Sequence, residues 1–284
     1  MGALQAIFMA VLQGLTEPFP VSSLGHAVVL PRLLGWNIDQ HDPTFLPFLV
    51  VLHLGTAIAL LLYFWRDWIQ LLFAVIGRPT ERPRAEELRL LALIVVATIP
   101  AAIIGLALQK EIEYLFGVPR IAAAFLIVNG FVLFFGERLR RRGETRPKNG
   151  EPLAVLSWSG ALMVGLWQCT ALIPGISRSG VTMVGGLLAG LHHKESARFS
   201  FLIAAPIIFG ANILKVPQLL RHDTAGEFTG LTVVAGIVAG VTAYLSIAFL
   251  MRYFKTHDFE SLDPFAWYCW AAGALALVLL YIGA

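Results

Sequence analysis

Hydrophobic residues fall in long blocks along this chain, and polar residues interrupt them at two kinds of place. The blocks at residues 45–65, 88–108, 121–135, 199–214, 231–251 and 264–282 approach the length of about 20 residues that a helix needs to cross a bilayer. They predict five or six transmembrane helices, with 121–135 the shortest. Elsewhere an apolar run is itself broken. Residues 2–17 run into Pro18 and Pro20, and Ser22-Ser23-Leu24-Gly25-His26 then leads into a short apolar run at 27–34. In the same way, Pro174-Gly175-Ile176-Ser177-Arg178-Ser179-Gly180-Val181-Thr182 separates the apolar runs 153–173 and 183–191. Half-helices around a polar break describe re-entrant hairpins, since irregular backbone survives at membrane depth only where protein or a wet cavity satisfies it. The expected fold is all-α and integral to the membrane, with about six transmembrane helices plus two re-entrant broken-helix hairpins.

The two breaks resemble each other. Gln13 to Gly25 can be laid without gaps on Gln168 to Gly180, which matches Gln13 to Gln168, Ser22 to Ser177 and Gly25 to Gly180. Three apolar spans follow each break, and an odd number of crossings per half forces the halves into opposite orientations. This predicts an inverted-topology repeat, 1–142 and 151–284, within a single membrane domain, with both breaks near the bilayer midplane.

Charge orients the spans. Arg66, Arg78, Arg82 and Arg84 follow the first span, and Arg138, Arg140, Arg141, Arg142, Arg146 and Lys148 follow the third, so both segments are expected to be cytoplasmic. Lys194, Arg198, Arg252 and Lys255 join that side if the second hairpin re-enters without crossing; Arg32, Lys110, Arg120, Lys215 and Arg221 remain on the other. Composition agrees with the pattern: the chain is 57% hydrophobic, 14% charged and has a mean hydropathy of +0.74, which excludes a soluble globular domain and a disordered chain. A net charge of +3 and a pI near 9.0 reflect loop arginines that set topology, and nucleic acid is not an expected partner. Cys169 and Cys269 lie in apolar segments and give no disulfide or metal spacing. Residues 1–15 lack the basic start and the cleavage site of a signal peptide, so this segment is expected to stay on the protein.

Candidate chemistry sits at the breaks. An arginine at membrane depth costs at least about 2.5–3.5 kcal/mol, so Arg178 needs something to bind. Ser177, Ser179 and Thr182 supply hydroxyls where a half-helix begins, and its free N–H groups and dipole favour an anion, most simply phosphate. Gln13 and Glu17 are four apart on one helical face, and Glu17 either neutralises Arg178 or holds a divalent cation with Gln13 as a neutral ligand. Pro18 biases Glu17 away from helical geometry. Ser23 and His26 are three apart at the next half-helix, and a hydroxyl beside an imidazole suits nucleophile activation or proton transfer. The nucleophile is then Ser23, His26 or water; Ser23 is the choice, with His26 taking its proton. His53 reads as a cavity-lining hydrogen-bond partner, and His192 and His193 as solvated residues without a role.

At these residues the chain resembles the undecaprenyl-pyrophosphate phosphatase family, the bacitracin-resistance proteins of bacterial envelopes. The resemblance rests on Gln13-x-x-x-Glu17 with Pro20-Val-Ser-Ser-x-Gly-His26, and on Pro174-Gly-x-Ser-Arg-Ser-x-x-Thr182, in the same order over nearly the whole length. It implies removal of the terminal phosphate of undecaprenyl pyrophosphate, a polyprenyl lipid, at the outer face of the bacterial cytoplasmic membrane. It also implies dependence on Mg²⁺ or Ca²⁺ and leaves room for a homodimer. Carried over, the acidic motif falls on Gln13 and Glu17 as metal ligands, and Glu17, Ser23, His26 and Arg178 are catalytic. Ser22, Gly25, Ser177, Arg178, Ser179 and Thr182 bind phosphate. The sequence departs from the family pattern at Gln13, where many members have Glu, at Leu24, where Thr is common, at Pro18, and at His53, where Gln is common. Inverted repeats with broken helices are also transporter architecture, so a carrier or flippase of a phosphorylated lipid is the alternative reading. Ser23 with His26 beside a carboxylate is a feature that a carrier does not need.

Overall fold

A computed structural model describes residues 1–36, 38, 45–115, 117–142, 153–222, 227–257 and 261–283. Among them there are twelve α-helices, one short 3₁₀ turn at Leu153–Val155 and no strand. Five helices are long and apolar enough to cross a membrane, or six if a bent pair is taken as one span. The protein is an all-α, multi-pass membrane protein.

The first expected hairpin is α1 (Ala3–Thr16) and α2 (Ser23–Leu33), and the second is α8 (Trp158–Thr170) and α9 (Arg178–Leu188). Between the hairpins lie α3 (Phe45–Tyr63), α4 (Trp65–Ile76), α5 (Arg84–Ala107), α6 (Gln109–Leu115) and α7 (Pro119–Arg142); after them come α10 (His193–His222), α11 (Glu227–Thr256) and α12 (Asp263–Ile282). The span predicted at 45–65 does not run on into a loop. It turns by 75° at Phe64 into α4, which exposes Trp65, Leu72, Val75 and Ile76 along one side and buries Leu71 and Ala74. The alternation of Arg66, Asp67 and Gln70 with these apolar residues is that of a helix lying along an interface, and the arginines of the segment masked it.

The shortest predicted span, 121–135, is also longer than its apolar core. As α7 it has 24 residues, because its arginines stay helical by finding acceptors: Arg138 donates to both carboxylate oxygens of Asp263 at 2.6 and 2.8 Å, and Arg140 contacts His193 at 2.9 Å. His193 is correspondingly not solvated. It is fully buried and bonded to Glu137 at 2.7 Å, which corrects the expectation of an idle histidine pair. Arg198, expected in a loop, sits in α10 and is paired with Asp67 of α4. The expectations for residues 143–149 and for Arg221 and Lys215 fall on segments or side chains outside the described residues.

Packing crosses between the halves. The long contacts are α3 with α11 and α7 with α12; α1 packs on α11, and α8 packs on α5. Each hairpin therefore rests on a span of the other half. The breaks meet backbone to backbone: a methyl group on Gly25 would lie 2.9 Å from Gly175 Cα. Gly175 itself has φ +103° and sits where a Cβ would come within 2.2 Å of Ala122 O on α7.

Gly175→Ala thus meets two obstacles, a left-handed backbone costing about 1–2 kcal/mol for an L-residue and a clash with main chain that cannot rotate away. A markedly lower melting temperature and folded yield in detergent are expected; a variant as stable as the parent would show that the hairpins are not held at this contact.

Candidate active site

The site forms where the two breaks touch. Glu17 follows α1 and, despite Pro18, keeps helical dihedrals (φ −65°, ψ −47°), with its N–H bonded to Gln13 O at 2.9 Å. The expected displacement by Pro18 does not occur. The α region is only disfavoured before proline, and Glu17 is fixed by its side chain as well. Gln13 Nε2 donates to Glu17 Oε2 at 3.2 Å, and the Ser23 hydroxyl makes a short bond to the same oxygen. From the second hairpin, Arg178 Nη2 donates to Glu17 Oε1 at 2.8 Å, and from α3 His53 Nε2 lies 3.2 Å from Oε2. One buried carboxylate thus gathers four side chains from four helices.

The local sequence explains these positions. Ser22 caps α2 by accepting the Gly25 N–H at 3.1 Å, and Ser177 caps α9 by accepting the Gly180 N–H at 3.2 Å. Ser23 and Arg178 are each the first residue of a helix, so two N-termini with free N–H groups converge on one cavity. Its volume is about 190 Å³, and Glu17, Ser22, Ser23, His53, Gln168, Ser177, Arg178 and Asn212 line it among apolar side chains such as Leu49, Leu172 and Ile207. A polar floor with apolar walls suits an anionic headgroup on a lipid chain.

Residues 6–275 match the family described as bacitracin resistance protein BacA. The chain belongs to that family. It is 54% identical over 285 residues to a protein of Acidiphilium cryptum named undecaprenyl-diphosphatase, covering 100% of both chains. Proteins of the same name from Granulibacter bethesdensis and Gluconacetobacter diazotrophicus are 54% and 48% identical, with 99% of this chain and 98% of each relative covered.

In this BacA chain the structure brings Gln13, Glu17, Ser23 and Arg178 together, keeps Ser22 and Ser177 in the cavity lining, and gives His26, Ser179, Thr182 and Gly25 other contacts. His26 does not reach Ser23 Oγ. Its Nδ1–H donates to Ser22 O at 2.7 Å, its Nε2 accepts from the Tyr268 hydroxyl at 2.7 Å, and the two rings stack. The carbonyl it holds belongs to Ser22, the single non-glycine residue with positive φ (66°) among the described residues. Ser179 donates to Phe19 O at 3.0 Å, and Thr182 bonds to Arg178 O and Ser200 Oγ at 2.7 and 2.6 Å, so both tie the second hairpin to its neighbours. Gly25 serves the contact between the breaks.

His53 lines the cavity as its sequence position suggests, and the structure adds Gln168 and Asn212 to the wall. His53 is a polar residue in an apolar span and Gln168 is the partner of Gln13 in the repeat, so both carried a signal; Asn212, one amide among residues 199–214, carried a weaker one. No cluster of three or more His, Cys, Asp or Glu suited to a metal occurs among the described residues. Gln13 Oε1 is nevertheless buried without a hydrogen-bond partner beside the Glu17 carboxylate. One charged and one neutral hard oxygen fit Mg²⁺ or Ca²⁺ when water and phosphate supply the remaining ligands.

If His26 acts by holding the Ser22 carbonyl, His26→Asn, whose amide nitrogen can replace Nδ1, should retain turnover within about tenfold of the parent, whereas His26→Leu should not. Loss of a group that itself transfers the proton costs about 10²–10⁴-fold, and a fall of that size in His26→Asn would return His26 to direct proton transfer.

Proposed function

We propose that this chain removes the terminal phosphate from undecaprenyl pyrophosphate, giving undecaprenyl phosphate and inorganic phosphate and recycling the carrier lipid for cell-wall synthesis. The family and the name shared by its relatives support this activity. Within the site, the observation that carries it is the Ser23 hydroxyl bonded to Glu17 at one helix N-terminus, with Arg178 at a second on the same carboxylate. A carrier needs the anion site but not the hydroxyl–carboxylate pair.

In the resting site Arg178 neutralises Glu17, and His53 Nε2 lies beside the same carboxylate. An entering pyrophosphate offers Arg178 a bidentate partner of higher charge. As the guanidinium turns to phosphate, Glu17 Oε2 stays bonded to the Ser23 hydroxyl and is placed to take its proton. Ser23 Oγ attacks the terminal phosphorus and passes its proton to Glu17 Oε2; the bond to the bridging oxygen breaks, and the prenyl monophosphate leaves. Glu17 then gives that proton to the departing phosphate and takes one from water. The water attacks the phosphoserine and releases inorganic phosphate, and the proton returns to Ser23 Oγ. The helix N-termini stabilise the charge on the transferring group throughout. Glu17 and Gln13 would hold the divalent cation, which when bound neutralises phosphate oxygens. His26 and Tyr268 hold the Ser22 turn that aims Ser23. The packing of each hairpin on the opposite half supports the inverted repeat 1–142 and 151–284, and the arginine asymmetry supports a cavity opening to the periplasmic face of the cytoplasmic membrane.

Purified protein in detergent should release phosphate from undecaprenyl and farnesyl pyrophosphate, and a chelator should abolish the release. Ser23→Ala should lose about 10³-fold or more of that activity while still binding substrate, and rapid quenching of the parent should trap an acid-stable phosphoenzyme. An acid-labile adduct, or substantial turnover by Ser23→Ala, would remove Ser23 as nucleophile. Arg178→Lys keeps the charge but not the fork, and a loss of about 100-fold or more with normal insertion is expected; near-normal turnover would leave Arg178 as no more than a counterion.

A further inference from the structure

Asn129 lies in the middle of α7, fully buried, away from the cavity lining and outside both sequence motifs. Its amide makes three hydrogen bonds to three parts of the chain. Nδ2 donates to Pro20 O at 2.9 Å and to Cys269 Sγ of α12 at 3.3 Å, and Oδ1 accepts the Ser177 N–H at 2.9 Å. The amide has one workable orientation, because a carbonyl can only accept and an N–H can only donate. Both main-chain groups come from the breaks. Pro20 lies midway between Glu17 and Ser23, and Ser177 immediately precedes Arg178. Neither group has a helical partner of its own, so a single side chain satisfies one orphan from each hairpin.

We propose that Asn129 is a positioning residue of the reaction, a clamp that fixes the distance between the Glu17–Ser23 pair and Arg178. This rests on the phosphatase reading above. In the resting protein the Glu17–Arg178 ion pair also joins the breaks. That link is surrendered when phosphate takes the guanidinium, so it cannot hold the geometry when the P–O bonds change. The ties that persist are main-chain ones: Asn129 to Pro20 O and Ser177 N–H, and the hydroxyls of Ser177 and Ser179 to Phe19 O at 3.4 and 3.0 Å. Of these, only Asn129 reaches both breaks from a third element, a transmembrane helix that does not depend on either hairpin for its own hydrogen bonds. Its contribution therefore falls on the transition state more than on binding.

The test is steady-state phosphate release by the folded, monodisperse fraction of the full-length chain, using farnesyl pyrophosphate with Mg²⁺. Asn129→Leu, of similar size and without hydrogen-bonding groups, should lower kcat about 100-fold with KM within about threefold, the scale expected when reacting groups are misplaced by about an ångström. Asn129→Asp keeps an acceptor for the Ser177 N–H and loses the donor to Pro20 O. It should show the same kcat-selective loss, and it carries the experiment if Asn129→Leu does not fold. A merely structural role would lower folded yield or melting temperature and leave kcat per folded molecule at the parent value. That outcome, or a loss confined to KM, overturns the inference. A parent that releases no phosphate from any prenyl pyrophosphate overturns the phosphatase reading, and the clamp with it.

Discussion

A charged group at membrane depth must be answered by another, and this constraint organises the whole molecule. Glu17 and Arg178 come from different halves of the chain, yet neither could remain ionised in an apolar bundle without the other. Their pairing dictates that two broken helices meet tip to tip, that the breaks carry hydroxyls and prolines in place of continuous helix, and that the surrounding spans open a cavity there. Gln13 and Ser23 donate to the carboxylate and His53 lies against it. The site is thus a charge-neutral assembly at rest, and the stability of the bundle and the chemistry of the cavity draw on the same contacts.

Much of this was legible in the amino-acid sequence because membrane spans, helix breaks and buried charges leave strong local marks. The spans and both hairpins follow from block length and from Pro18, Pro20, Pro174 and Gly175. The meeting of Glu17 and Arg178 follows from the cost of leaving either alone. What was not legible depends on side-chain direction. Ser23 and His26 are three residues apart on α2, but the His26 ring turns back to the Ser22 carbonyl and out to Tyr268, 242 residues away, and not to Ser23. His193 and Glu137 form a buried pair only because α7 stays helical past its apolar core, which no local run of hydrophobicity announces. Asn129 reads as one polar residue in an apolar span, and its importance comes from where two distant turns fall.

The two hairpins are alike in capping and unlike in what they contribute. Ser22 and Ser177 play the same local role, each accepting the N–H three residues on, and each leaves the first helical residue facing the cavity. In one case that residue is a hydroxyl, in the other a guanidinium. A shared side-chain cap thus presents a nucleophilic group and a cation to one anion, which a single broken helix could not do.

The seam between the hairpins, where Gly25 lies against Gly175, contains main chain on both sides. A joint of this kind has no side chains whose size could drift, so at this point the closeness of the two breaks is set by main chain, as Asn129 sets it from the side of α7. A substitution in the lining, such as at Leu24, can then alter what the cavity prefers without resetting the gap across which it works.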